Sequence, residues 1–211
     1  NTNRLLDLTN QLLDFQKIEK EHLSLNLARH NVSDIVEETF YRFSSSAKQQ
    51  HKTFELELGS GEACAQIDKE AFTKILSNLL NNALKYSETL IRVCLTVQDT
   101  TFRITVTNDG EVVPPEMREA IFAPFFRHTR KSESTGTGIG LALARSLAEL
   151  HHGTLVMGAD TDINEFILTI PLCRQDAAEA ADVASEENPE NIPDERGDLG
   201  WEAYSILIVE D

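Results

Sequence analysis

The segment Asn78-Leu-Leu-Asn-Asn-Ala-Leu-Lys-Tyr86 sets carboxamides and an ammonium at helical spacing. At 100° per residue, Asn78, Asn82 and Lys85 share one face, while Phe72, Ile75, Leu79 and Ala83 line the adjoining apolar face. Asparagine is a mediocre helix former, so two of them one turn apart beside a lysine point to a use for their oxygens. Amide oxygens suit a hard cation and an ammonium suits phosphate, the oxygen-only chemistry of Mg²⁺ with a nucleotide. A merely solvated helix face accounts for the same residues, and this segment alone leaves both readings open. A second constellation, Gly136-Thr137-Gly138-Ile139-Gly140, runs directly into an apolar helix that begins near Leu141. Alternating glycines permit a nest of backbone N–H groups, and the free amides and positive dipole end of a helix start attract phosphate. By itself such a loop is a weak signal. No tight strand-turn-helix unit makes it a dinucleotide fingerprint, and no Gly-Lys-Ser/Thr follows to make it a Walker loop.

These residues need a frame, which the hydrophobic period supplies. Asn31 or Ser33 can cap a helix to about Gln50, and Phe54-Glu-Leu-Glu-Leu58 alternates like a half-buried strand. A short strand ends near Ile67, and Asp68 caps the long helix that reaches about Tyr86. Alternating strands follow at 90–98 and 102–108, and Val106-Thr-Asn-Asp-Gly110 ends the second in turn chemistry. After a loop region rich in Pro and Gly come a helix from about Ile139 to His151 and strands near 154–158 and 165–171. The expected fold class is α+β, a two-layer sandwich with a mixed sheet covered on one face by helices.

A length of 211 residues allows one full domain with sizeable flanks, and 41% hydrophobic against 26% charged residues places it among soluble globular chains. With 19 basic and 35 acidic side chains the formal charge is −16, which repels nucleic acid and anionic lipid at long range. No apolar run approaches the ~18 residues of a membrane span. Cys64, Cys94 and Cys173 are odd in number and widely spaced, reading as reduced cytosolic thiols. Leu5, Leu8, Leu12 and Phe15 form the seam of a helix that packs on other helices, by ordinary amphipathic packing or in a bundle. Residues 173–200 hold nine acids and two bases, with Pro189 and Pro193 and almost no large apolar side chain, so the globular part should end near Leu172 in an acidic, disordered linker. Opening inside a helical pattern and stopping inside a strand pattern, the sequence reads as a piece of something longer.

Taken in order, these segments resemble the catalytic and ATP-binding domain of bacterial sensor histidine kinases, within the gyrase, chaperone, histidine-kinase and mismatch-repair ATPase superfamily. Asn78 to Tyr86 is similar to the family's N box and Asn108-Asp-Gly110 through Pro114 to its first glycine box. Phe122-Ala-Pro-Phe-Phe-Arg127 is similar to the F box, and Gly136 to Leu141 to the second glycine box. The resemblance implies a Bergerat ATP-binding fold at 25–172, preceded at 1–24 by part of the second helix of a dimerisation and histidine-phosphotransfer hairpin. It implies ATP and Mg²⁺ as cofactors, with Asn82 on the cation and Asn78 in the same shell or on its waters. Lys85 and Tyr86 would meet phosphate and ribose, and Asn108 and Gly110 the base. Arg127 would approach the γ-phosphate, making Asn78, Lys85 and Arg127 the catalytic set. Gly136, Gly138 and Gly140 would bring a lid, roughly 124–140, close to the triphosphate, with Arg130 and Lys131 as extra counter-charges. Phe126, Thr137, Ile139 and Leu141 complete the nucleotide contacts, and Phe122, Phe125 and Phe126 would anchor the lid.

Three departures stand out. The first glycine box usually reads Asp-x-Gly-x-Gly, its Asp accepting the adenine amino proton, whereas this chain has Asn108 and, for the second glycine, Val112. Asn keeps an acceptor but loses the charge, a difference of roughly 1 kcal/mol in the hydrogen bond. The third lies near Asn164-Glu-Phe166, in place of a glycine-containing turn, and as a distal change it should matter least. The superfamily's ATP hydrolases carry a glutamate one turn before the metal asparagine to activate water. Asn78 occupies that position and has no basic lone pair, which disfavours a chaperone-type clamp. The implied reaction is γ-phosphoryl transfer to a histidine imidazole.

None of His22, His30, His51, His128, His151 or His152 has the family's acceptor context, so the acceptor is expected on a preceding helix outside this sequence. Tyr204-Ser-Ile-Leu-Ile-Val-Glu-Asp211 resembles the opening strand of a receiver domain, giving 173–203 as linker and 204–211 as receiver, and the parent as a hybrid kinase. An edge strand is the plain alternative. Implied partners are the chain's own phosphotransfer helices, its receiver domain and a second copy in a homodimer. The implied location is a cytoplasmic domain whose parent can be anchored in the bacterial inner membrane. A degenerate, non-catalytic nucleotide-binding scaffold, motivated by Asn108 and Val112, is the competing function.

Overall fold

The computed structural model describes residues 24–59, 61, 63–126, 137–159 and 162–172, with positions 9, 12, 13, 15, 16 and 18. All lie in the compact unit Asn1–Arg174. The linker and receiver strand expected at 173–203 and 204–211 fall outside the described residues, as do Leu5, Leu8 and Cys173. The described N-terminal positions are helical, with Phe15 buried and Leu12 and Ile18 packed against the core.

The elements run β1 (Ala28–Asn31), α1 (Val32–Gln49), β2 (Thr53–Leu58), β3 (Cys64–Ile67), α2 (Lys69–Tyr86), β4 (Leu90–Val97), β5 (Thr101–Asn108), two 3-10 turns (Pro115–Met117, Ala120–Phe122), α3 (Gly140–Leu150), β6 (Thr154–Met157) and β7 (Asn164–Pro171). The main sheet has strand order β2-β4-β5-β7-β6. The β2-β4 pair is parallel and the other pairs are antiparallel, so the sheet is mixed. On β5, Phe102, Ile104, Val106 and Asn108 are buried, alternating with half-buried Thr101, Arg103, Thr105 and Thr107. Period two therefore gives the sheet one core face, and the helices cover that face: Phe72 of α2 meets Phe102 edge-on at 5.9 Å. The two-layer α+β expectation is met.

Local chemistry explains the ends of the helices. Asn31 caps α1 by accepting from the Ser33 N–H at 3.1 Å. Asp68 caps α2 by accepting from the Glu70 and Ala71 N–H groups, both at 3.0 Å. Burial alone would raise the Asp68 pKa, but backbone N–H donors from Ala71, Asn26 and Glu70 outweigh it and hold the carboxyl below its ordinary value. Behind this cap the buried His151 accepts the Asp68 N–H on Nε2 at 3.1 Å, and its Nδ1 lies 2.7 Å from the Leu147 carbonyl oxygen. One imidazole thus joins the start of α2 to the end of α3.

One element had no counterpart in the sequence pattern. Ala28–Asn31 pairs antiparallel with β3 in a separate two-stranded sheet. Its four residues do not alternate in polarity, and Asn31 reads in sequence only as a cap.

Candidate functional site

The candidate site lies where α2, the end of β5 and the start of α3 converge. On α2 the apolar stripe Phe72, Ile75, Leu76, Leu79, Leu80, Ala83 and Leu84 is buried. Asn78 and Asn82 are half-buried beside it, and Lys85 and Tyr86 are exposed. The Asn78 Nδ2 donates to the Lys74 carbonyl at 3.0 Å. With its nitrogen engaged, Asn78 turns its oxygen toward α3, where a Cβ built on Gly140 would stand 2.8 Å from Oδ1. The N-box carboxamide and the second glycine motif therefore meet. Lys85 donates from Nζ to the Tyr86 hydroxyl at 2.8 Å.

The glycines define two other close approaches. A side chain on Gly110 would overlap the Tyr86 carbonyl oxygen and stand 3.1 Å from the Asn108 Nδ2. Gly138 has φ +72 and a Cβ there would come within 2.8 Å of the Phe125 backbone, so the turn demands glycine on both counts. The Phe125 N–H donates to the Gly138 carbonyl at 2.9 Å, tying together the residues on either side of 127–136. Thr137 accepts the Ile139 N–H on Oγ1 at 3.2 Å, Ile139 is buried, and Leu141 packs partly against the core. Among the described residues α3 has no side-chain N-cap.

Arg127, His128, Arg130, Lys131 and Gly136 lie outside the described residues. Of the three aromatic anchors, Phe122 is buried and Phe126 packs against the core. Phe125 departs from the anchoring expected of its ring: it is 62% exposed at φ 63, and its backbone N–H meets Gly138.

The base of the site contains residues that the motifs did not single out. Asn108, 2% exposed at the end of β5, is the register partner of Asn164 on β7. Asn164 accepts from the Val113 N–H at 2.9 Å and donates to the Glu111 carbonyl at 2.9 Å and the Gly110 carbonyl at 3.3 Å. The departure near Asn164, distal in sequence, thus lies beside Asn108, because antiparallel pairing brings together residues 56 positions apart. Asp109 accepts from the Glu88 and Thr89 N–H groups at 2.9 Å and from the Thr89 hydroxyl at 2.6 Å. Burial would push its carboxyl up, but the Thr89 hydroxyl and the N–H groups of Leu90, Thr89 and Glu88 bring it down to about 2. Lys52 donates from Nζ to the Ser87 carbonyl at 2.8 Å and to the Leu84 carbonyl. Desolvation lowers its pKa, and the Asp109 charge partly restores it. Lys52 and Asp109 thus brace the C-terminal end of α2, where Lys85 and Tyr86 sit.

This arrangement fits a nucleotide. It offers amide oxygens suited to a hard cation, glycine turns packed closely against Tyr86, Phe125 and Asn78, and a buried amide nitrogen on Asn108 that has no partner among the described residues. Among the described residues no group of three or more His, Cys, Asp or Glu could hold a metal.

Residues 67–174 match the family model of histidine kinase-, DNA gyrase B-, and HSP90-like ATPases. The chain is 31% identical over 204 residues to the sensor histidine kinase TmoS of Ectopseudomonas mendocina, covering 92% of this chain and 21% of that one. It thus spans about a fifth of that relative's length. In fold it is similar to full-length ShkA in complex with AMPPNP, with a TM-score of 0.71 and 24% identity over 80% of this chain and 36% of that one. The histidine kinase ThkA in complex with the response regulator TrrA gives a TM-score of 0.66 and 23% identity, over 82% and 49%. The chain therefore belongs to the histidine kinase-, DNA gyrase B-, and HSP90-like ATPases, and carries the domain of that family found in sensor histidine kinases.

Proposed function

We propose that this domain binds Mg-ATP and transfers the γ-phosphoryl to a histidine imidazole for relay to a receiver aspartate in two-component signalling. The observation that carries the proposal is the meeting of Asn78 with Gly140 at the start of α3, with Asn78 in place of a water-activating glutamate. Asn82 and Asn78 would hold Mg²⁺, which when bound neutralises charge on the phosphate oxygens. Asn108 and Gly110 would receive the base, and Lys85, Tyr86 and Arg127 the phosphates and ribose. Phe126, Lys131 and the run Gly136, Thr137, Gly138, Ile139, Gly140 and Leu141 would close over the nucleotide. In the transfer a P–N bond to the imidazole forms as the bond from the γ-phosphorus to the β,γ-bridging oxygen breaks, and ADP leaves. The chain contributes position and charge, since a neutral carboxamide at 78 cannot take a proton from water.

We place the acceptor outside the chain's six histidines on a phosphotransfer helix, the receiver after the acidic linker as in a hybrid kinase, and the intact parent in a homodimer. ThkA's complex with a response regulator and ShkA's with AMPPNP, both within the same fold, support the partners and the nucleotide class. Calorimetric titration with ATP, with and without Mg²⁺, tests the reading. Saturable magnesium-dependent binding supports it. No binding at millimolar ATP would favour a non-catalytic scaffold.

A further inference from the structure

The two asparagines paired across β5 and β7 differ in one respect that bears on substrate choice. Asn164 is locked: its oxygen accepts from Val113 and its nitrogen donates to Gly110 and Glu111. Asn108 is equally buried, at 2% exposure, but its Nδ2 has no hydrogen-bond partner among the described residues. That nitrogen lies beside Gly110, 3.1 Å from where a Cβ there would stand, in a corner where the Tyr86 carbonyl already excludes any side chain at 110. A buried amide nitrogen without a partner is costly unless a ligand completes it.

A carboxamide presents an acceptor and a donor side by side, and a half-turn about its last side-chain bond exchanges them. The six-membered edge of a 6-aminopurine shows an N–H donor beside the N1 acceptor. A 6-oxopurine shows the reverse, O6 as acceptor beside N1–H as donor. Among the described residues no hydrogen bond holds the Asn108 nitrogen in one orientation, so the same side chain can satisfy either edge. A carboxylate is acceptor-only, and beside O6 it would set lone pair against lone pair in a site with little water to relieve the clash.

We propose that Asn108 makes the base subsite accept 6-oxopurine nucleoside triphosphates as well as ATP. This rests on the assignment of Asn108 to the base subsite, and it extends the substrate class beyond adenine nucleotides. Beside the acceptor that its oxygen offers to adenine, the free donor gives Asn108 a second function.

Calorimetry on the chain with Mg-ATP and with Mg-ITP, which carries O6 but no 2-amino group, tests the proposal. The unaltered chain is expected to bind the two within about tenfold of one another. Asn108→Asp should shift the ratio toward ATP by roughly tenfold to a hundredfold, the range for a lost pair of base-edge hydrogen bonds. Asn108→Ala, which removes donor and acceptor together, should weaken both nucleotides equally and guards against poor folding of the Asp variant. ATP binding with ITP more than about a hundredfold weaker, or a ratio unmoved by both substitutions, would overturn the base-selection proposal and leave the proposed function standing. Failure of the unaltered chain to bind either nucleotide would remove the proposed function and this inference with it.

Discussion

Asp109 is the residue on which the geometry of the corner between α2 and β4 turns, and Asp109→Asn isolates its charge. The carboxylate gathers the Glu88 and Thr89 N–H groups and the Thr89 hydroxyl, fixing the chain just after Tyr86. Its fall from the ordinary carboxylate value to about 2 corresponds to roughly 2.5 kcal/mol at 1.36 kcal/mol per pH unit. The side chain is only half-buried, so solvent screening reduces this to about 1 kcal/mol, or about 2–4 °C in Tm for a domain of this size. Because the folded pKa lies below the unfolded one, the contribution is complete above about pH 5 and is lost as pH falls toward 2. About half should remain at pH 3. Urea unfolding of the native and Asp109→Asn chains between pH 3 and pH 7 measures the gap. A gap that is absent at pH 7, or undiminished at pH 3, would refute the role given to the ionised carboxylate.

Asn82→Ala should abolish magnesium-dependent ATP binding while leaving Tm nearly unchanged, since alanine is the better helix former; unchanged affinity by calorimetry would remove Asn82 from the site. Gly140→Ala puts a methyl against the movable end of Asn78, so nucleotide affinity should fall about tenfold while the helix keeps or gains a little stability; circular dichroism with a binding titration separates the two effects. Asn164→Ala strands the Val113 N–H and two carbonyls, with an expected loss of about 2 kcal/mol in urea unfolding and weaker ATP binding from a loosened 110–113 loop.

Elements whose causes are local in sequence were legible. Asp68 sits at the start of a 3.6-residue apolar repeat and caps α2 as its chemistry requires. The same repeat sets Asn78 and Asn82 beside the core and Lys85 outside it. The alternation on β4 and β5 likewise survives folding, with boundaries moved by a residue. What was not legible depends on pairing across distance. Lys52 reaches the end of α2 from before β2, and Asn164 becomes part of the site only through its register with Asn108. Phe125 carries the composition of an anchor, yet a left-handed backbone turns it to solvent. Such contacts follow from the order of strands in the sheet, which no local pattern encodes.

The proposed reaction is phosphoryl transfer from bound ATP to a histidine other than the six of this chain. Incubation with γ-labelled ATP and Mg²⁺, alone and with a separate fragment carrying both phosphotransfer helices, tests it directly. No stable label is expected on this chain, and acid-labile, base-stable label is expected on the added fragment. Label on this chain alone, or free phosphate released rapidly with neither polypeptide labelled, would contradict it.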